Sequence, residues 1–322
     1  MNLSHEELMK QNYNRSQPGA DSRLIDSQRK VHPKFFVDAT WLAEHLDEVV
    51  VVEVTRDDAA YQLDQVRTRK HYLEGHIPGA IHLSTDELGE FKGYFPSAEA
   101  MAKVFEQKGI RYDTPVVFYS FYARDIMYIA SRMALAAYYL GVESVYLLDG
   151  GWQAWERGDY PIEVGEVTLP QVVFGRSVPK YPELLVQTPE EVVQLCQAEP
   201  EAKLVSVRSW NEYIGSNQGH AWNKGVGEIK GALYGGDDFL TNEQGYVANP
   251  KEYQPSWEAW GIEPEDNLIL YCGTSWRAST CFFIMKELGY QHLRLYDGSW
   301  YQWYLAHEAD PERFPIQQGD PR

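Results

Sequence analysis

Cys272 and Arg277 stand five residues apart in the run Leu268-Ile269-Leu270-Tyr271-Cys272-Gly273-Thr274-Ser275-Trp276-Arg277. A cysteine thiolate is a soft nucleophile, and a guanidinium beside it is a fixed cation for an anionic reactant. The four apolar residues before Cys272 predict a buried strand. After Arg277, Ala278, Cys281, Phe282, Ile284, Met285 and Leu288 recur at three- and four-residue spacing and stop at Gly289, which predicts a helix with a glycine C-cap. Cys272 would therefore sit between a strand end and a helix N-terminus, where free backbone N–H groups and the helix dipole favour thiolate over thiol. The alternative is a buried, inert cysteine, the description that fits Cys196 on an apolar helix face and Cys281 in mid-helix. Cys272 differs from both because α/β folds place their sites at the C-terminal ends of strands.

The elements around this segment repeat. Gly75-x-Ile77-x-Gly79-Ala80 returns 152 residues later as Gly227-x-Ile229-x-Gly231-Ala232, and Val116-Val117-Phe118-Tyr119-Ser120 returns at the same offset as Leu268 to Cys272. Asp149-Gly150-Gly151-Trp152 returns 148 residues on as Asp297-Gly298-Ser299-Trp300. Two copies this alike predict duplicated domains. In the first, Asp38 or Thr40 can cap a short helix through Leu46. Strands are expected at Val49–Val54, Val116–Tyr119 and Val145–Leu148, with helices at Ser97–Phe105 and Ile126–Leu140. Strands alternating with helices imply an α/β fold, each domain a parallel sheet flanked by helices. The division expected is a polar N-terminal arm (1–34), a first domain (35–165), a linker (166–183) carrying Pro170, Pro179 and Pro182, and a second domain (184–322).

Tyr271-Cys272-Gly273-Thr274-Ser275-Trp276-Arg277-Ala278-Ser279 followed by Tyr296-Asp297-Gly298-Ser299-Trp300 resembles the catalytic segment of the rhodaneses, and the resemblance extends over both halves of the chain. It implies two tandem rhodanese-like domains and sulfur transfer through a persulfide on Cys272. The donor would be a small anion such as thiosulfate and the acceptor cyanide or a thiol. The alternatives are a 3-mercaptopyruvate sulfurtransferase, or a relay module that hands sulfur to an accepting protein with little small-molecule turnover. The first copy has Ser120 where the second has Cys272, and Asp125 where it has Arg277. No Gly-x-Ser-x-Gly elbow surrounds Ser120, so it is expected to be catalytically degenerate, as first domains of tandem rhodaneses generally are.

The loop from Cys272 to Arg277 is one residue shorter than the Cys-x5-Arg cradle of related phosphatases, which favours sulfur over phosphate. Its amides from Gly273 to Arg277 would form a nest around the sulfur, with hydroxyls of Thr274 and Ser275 as added donors. Arg277 is expected on the anionic donor, with an internal salt bridge as its alternative, and Trp276 as a lid over the loop or an interdomain contact. Arg208 takes the arginine position of the family's strand-end Asp-x-Arg motif, with Ser206 replacing the aspartate; it faces substrate or a structural ion pair. Lys230 is a weaker cationic candidate. The Asp297 carboxylate is expected to cap a helix and Trp300 to be buried. Glu212 stands where mercaptopyruvate enzymes carry a second arginine. Its carboxylate is expected to repel a carboxylate donor, so thiosulfate should be preferred and Glu212→Arg should narrow the gap. Gly273 argues the other way, since it resembles the uncharged second loop position of mercaptopyruvate enzymes.

The totals set bounds. A net charge of −18 argues against a phosphate-backbone partner, so no nucleic acid is expected. No apolar run is long enough to span a bilayer, the first thirty residues lack a secretory h-region, and three cysteines do not make a disulfide framework. A cytoplasmic protein away from membranes is expected. The histidines are scattered, without paired cysteines or a Gly-x-Gly-x-x-Gly loop, so no metal or cofactor is expected.

Overall fold

The computed structural model describes residues 34–56, 68–89, 94–120, 127–220, 223–237, 240–242, 245–248 and 250–322. The N-terminal arm up to residue 33, and the stretch from Phe121 to Ile126 that includes Asp125, lie outside the described residues. The chain divides between Leu185 and Val186 into two compact units.

The first unit holds β1 (Phe36–Val37), α1 (Ala39–Glu44), β2 (Val50–Thr55), α2 (Arg69–Glu74), β3 (Ile81–Ser84), α3 (Ala98–Gln107), β4 (Val116–Ser120), α4 (Met127–Leu140), β5 (Val145–Leu148) and α5 (Gly151–Arg157). Its five strands run β1-β5-β4-β2-β3, parallel in all four pairings. The Asp38 side chain accepts from the Trp41 N–H at 2.7 Å and starts α1. β4 is buried along its whole length, which is why its sequence is a continuous apolar run instead of an alternation. The proline-bearing stretch 166–183 is extended and packs on this unit. Phe174 is buried, its N–H donates to Glu106 Oε1 at 2.8 Å, and its carbonyl accepts from the Tyr112 N–H at 3.0 Å.

The second unit repeats the order: β6 (Leu185–Val186), α6 (Pro189–Ala198), β7 (Lys203–Ser206), α7 (Trp210–Tyr213), β8 (Glu228–Ile229), β9 (Leu233–Tyr234), α8 (Pro250–Ala259), β10 (Leu268–Tyr271), α9 (Trp276–Glu287), β11 (Leu293–Tyr296), α10 (Ser299–Ala309) and β12 (Ile316–Gln317). The sheet runs β6-β11-β10-β7-β9, with β10 in the centre and parallel to both neighbours. β8 lies outside that sheet, antiparallel to β12. Leu268, Ile269, Leu270 and Tyr271 are all buried, each worth about 1.5–3 kcal/mol relative to exposure. The helix expected after Arg277 is α9, and it is buried nearly all round, from Trp276 to Glu287, so its period carries little amphipathic contrast. Gly289 follows its C-cap at φ +94°, in the left-handed region that a glycine enters without strain. Among the described residues no helix is long and apolar enough to cross a membrane.

Candidate active site

The central strand delivers Cys272, which is 1% exposed, directly into the turn that starts α9. Two further backbone contacts fix it. The first free N–H groups of α10 point at the loop: Trp300 N–H donates to the Cys272 carbonyl and Tyr301 N–H to the Gly273 carbonyl, each at 3.0 Å. Cys272 N–H in turn donates to Ser299 Oγ at 3.3 Å, and that hydroxyl donates to the Tyr296 carbonyl at 2.9 Å. Cys272 is thus held between the N-termini of two helices, whose dipoles both favour negative charge. The Asp-Gly-Ser-Trp stretch was expected to act through a capping Asp297. The N-cap of α10 is instead Gly298, without a side-chain cap bond, because the loop carbonyls already take the first N–H groups. Trp300 is buried, as its size and position suggested.

Gly273, Thr274, Ser275 and Trp276 form the rest of the loop, and all four are buried. Ser275 closes it at φ +72°, a left-handed conformation uncommon for a residue with a Cβ, and its carbonyl accepts from both the N–H (3.1 Å) and the hydroxyl (2.8 Å) of Ser279.

Arg277 makes the internal salt bridge that was the alternative to a place on the donor. Its guanidinium makes a two-pronged bond to Glu212 (Nη1–Oε2 2.7 Å, Nη2–Oε1 3.0 Å) and a further one to Asp237 Oδ2 at 2.5 Å. Burial by itself would weaken the charge on Arg277, but Asp237 and then Glu212 outweigh it and hold the group well above its ordinary value. For Glu212, burial acts to raise the carboxyl; the charge and hydrogen bonds of Arg277, with Arg208 behind, overcome that and place it below the usual carboxylate range. Glu212 also accepts from Ser209, from the N–H at 3.1 Å and the hydroxyl at 2.9 Å, as the capping box of α7. Gly219 packs against it so closely that a Cβ there would lie 2.2 Å from Glu212 Oε1. The expectation that Glu212 faces and repels a carboxylate donor is therefore corrected: it is buried and neutralised by the loop arginine.

Arg208 is fully buried at the end of β7, beside Cys272, since Val207 N–H donates to the Tyr271 carbonyl at 2.7 Å. Its Nη1 donates to the Gly227 carbonyl (2.6 Å) and Glu228 Oε2 (3.2 Å), and its guanidinium carbon lies 4.6 Å from the Trp300 ring centroid. Nε and Nη2 have no hydrogen-bond partner; Nε stands 3.6 Å from Glu212 Oε1. Of the two open readings of Arg208, the ion pair is present and one edge remains uncommitted.

Ser206 does lack the carboxylate that would fix Arg208, yet the carboxylate is not missing. Glu228, arriving from β8 and fully buried, accepts from Ser206 Oγ and Tyr271 Oη, each at 2.5 Å, as well as from Arg208. Burial, then the Glu228 charge, push the Tyr271 phenol well above its ordinary value, so it stays a donor. Glu228, Asp237 and Ser299 were not singled out from the sequence. The available signal was Glu228 itself, an acidic residue inside a repeated turn otherwise made of glycine and apolar residues. Lys230 is exposed on that turn, away from burial.

Burial pushes the thiol of Cys281 far up, and burial with Glu199 raises that of the half-buried Cys196. In the first unit Ser120 ends β4 and is buried, and the strand register places Thr55 where the second unit has Arg208. Thr55 Oγ1 lies 2.6 Å from His82 Nε2, a hydroxyl–imidazole contact in place of a guanidinium. Gly151 sits at φ +53° against the Ser120 carbonyl, where an added Cβ would come within 2.5 Å. Among the described residues no cluster of His, Cys, Asp or Glu is placed to hold a metal ion.

Comparison with known proteins bears on both units. A family model described as the rhodanese-like domain matches residues 38–157 and 188–306. Thiosulfate sulfurtransferase YnjE of Escherichia coli is 38% identical over 263 residues, covering 78% of this chain and 58% of that protein. Its crystal structure superposes with a TM-score of 0.77, covering 99% of this chain and 79% of that one, at 30% identity. The 3-mercaptopyruvate sulfurtransferase of E. coli is 27% identical over 84% of this chain and 94% of its own length. An anaerobic ergothioneine biosynthesis enzyme from Chlorobium limicola, solved with trimethyl histidine, has a TM-score of 0.76 at 29% identity over 89% of this chain and 71% of that one.

Proposed function

The chain belongs to the rhodanese family, with two rhodanese-like domains, and from that premise we propose that it is a sulfurtransferase moving sulfane sulfur from thiosulfate to cyanide or a thiol through a persulfide on Cys272. The observation that carries the reading is the placement of Cys272 at the end of the central strand, between two helix N-termini. The thiolate attacks the outer sulfur of thiosulfate, the S–S bond breaks, and its electron pair leaves with sulfite. The loop amides of Gly273, Thr274, Ser275 and Trp276 then stabilise the persulfide until an acceptor takes the sulfur.

The donor assignment rests on charge. Mercaptopyruvate presents a carboxylate and a carbonyl that call for two cationic contacts. With Arg277 committed to Glu212 and Asp237, Arg208 is the guanidinium that retains uncommitted N–H groups, which suits one oxyanion group. The expected result is a higher kcat/KM for thiosulfate than for 3-mercaptopyruvate with cyanide as the common acceptor. A clear preference for mercaptopyruvate overturns this donor assignment and leaves the persulfide chemistry standing. Steady-state turnover with thiosulfate and cyanide also separates an enzyme from a sulfur relay, in which the persulfide moves only to a protein.

The first domain is read as structural. Ser120→Ala should retain most of the wild-type turnover, because the first unit has Ser120 and Thr55 at the positions where the second has Cys272 and Arg208. A well-folded Ser120→Ala protein with a large loss would assign chemistry to that domain. The division into arm, two domains and linker, and a cytoplasmic setting in which three free cysteines stay reduced, belong to the same proposal.

A further inference from the structure

Ser275 carries two features that a glycine in its place would lack. Its backbone is in the left-handed region at φ +72° despite a Cβ, and its hydroxyl, fully buried, has no hydrogen-bond partner within the protein. A hydroxyl removed from water and left unpaired destabilises the fold, and so does a non-glycine residue in this conformation. The two costs fall on one side chain, three residues from the nucleophile, in a loop whose neighbouring carbonyls and arginine are engaged. Cys272 and Gly273 carbonyls are taken by α10, the Ser275 carbonyl by Ser279, and Arg277 by its carboxylates. Other buried donors left over at this end of the sheet include Nε and Nη2 of Arg208 and Nε1 of Trp300. Strain and an unpaired donor kept together in a catalytic loop point to an interaction made with a reactant.

Building on the sulfurtransferase reading, we infer that Ser275 is a specificity-determining residue whose hydroxyl donates to an oxygen of the departing sulfonate group of the donor. Arg208 meets the same group from the β7 side. In the donor half-reaction the Cys272 thiolate bonds to the sulfane sulfur of thiosulfate, the S–S bond breaks, and sulfite leaves with the electron pair, so that three negative charges enter and three leave. Charge accumulates on the sulfite oxygens as the bond lengthens. A hydroxyl fixed there binds more strongly in the transition state than to free thiosulfate, and contributes to the donor step. The acceptor step, in which cyanide takes the outer sulfur, involves no oxyanion and makes no use of Ser275.

The test is Ser275→Gly, with Ser275→Ala as a second variant that keeps the Cβ and removes only the oxygen. Glycine is at ease at φ +72°, so Ser275→Gly should fold and unfold at a higher temperature than wild type. Both variants should lose about tenfold or more in the rate of persulfide formation from thiosulfate, the worth of one hydrogen bond to a charged group. Discharge of the preformed persulfide by cyanide should be unchanged. Sulfite should raise the melting temperature of wild type and do so less for either variant. Wild-type loading with both variants loading at the wild-type rate overturns the role of Ser275 alone. A slowed cyanide step equal to the slowed loading makes the residue structural and also overturns it. A wild type that neither loads from thiosulfate nor binds sulfite overturns the thiosulfate assignment, and this inference with it.

Discussion

Cys272→Ser should bring persulfide formation and thiosulfate–cyanide turnover down to background, a loss of at least about a thousandfold, while the protein stays folded. The two side chains are nearly the same size, and the hydrogen bonds that seat the residue use its backbone N–H and carbonyl, which the substitution leaves in place. What is lost is the soft sulfur nucleophile; a serine hydroxyl in the same cradle cannot carry sulfane sulfur. Cys196→Ser and Cys281→Ser should load normally, because burial holds both thiols in their unreactive form. Intact mass after incubation with thiosulfate should show one added sulfur on wild type and none on Cys272→Ser, and peptide mapping should place it on Cys272. Sulfur found on Cys196 or Cys281 would sink the assignment.

Glu212→Arg should destabilise the second unit by about 3–5 kcal/mol, the usual consequence of removing one partner of a buried ion pair, and by more if the new guanidinium is held beside Arg277 and Arg208. Against a total of about 5–15 kcal/mol that is enough to leave much of the protein unfolded. This replaces the simpler expectation from sequence, in which the same substitution would merely improve a carboxylate donor. Glu212→Gln, which keeps the shape and loses the charge, should cost less. Denaturant midpoints decide the matter: a Glu212→Arg protein with the wild-type midpoint would mean that the Glu212–Arg277 contact contributes little. The pair also sets an acid limit. The folded-state pKa of Glu212 lies below its unfolded value, so its contribution is fully present above the ordinary carboxylate range of about 4.5 and is lost as the pH falls through the folded value. Between pH 6 and the acid transition, wild type should lose stability more steeply than Glu212→Gln on the same protein background.

The sequence made the backbone of the site legible because its signals are local. A buried strand, a cysteine, a loop and a helix follow one another between Leu268 and Gly289, and the second occurrence of each motif confirmed the grammar of the first. The partners of the loop were not legible, since they come from distant segments. Arg277 meets Glu212 and Asp237, Cys272 meets Ser299 and Trp300, and Gly273 meets Tyr301, all from segments away from the loop. Asp297 illustrates the other limit. Its position before α10 fits a capping aspartate, but a helix whose first N–H groups are taken by another loop needs no side-chain cap. The aspartate absent at Ser206 was visible; that a carboxylate would return from β8 was not, because β8 is only two residues long and belongs to no sheet-scale pattern.

The two copies solve that last problem in opposite ways. In the first, Glu53 sits on the strand opposite Tyr119 and accepts its phenol at 2.6 Å, while the repeated turn carries His76. In the second, Ser206 occupies the strand position opposite Tyr271, and the turn carries Glu228, which accepts the phenol. Each domain sets one carboxylate on its tyrosine, from a different attachment point. The intermediate sequences are both poor. Glutamate at both positions crowds two buried anions around one tyrosine, and glutamate at neither leaves Tyr271 and Arg208 without their acceptor. The two positions are thus coupled, and in either domain a change at one is tolerated only with the matching change at the other.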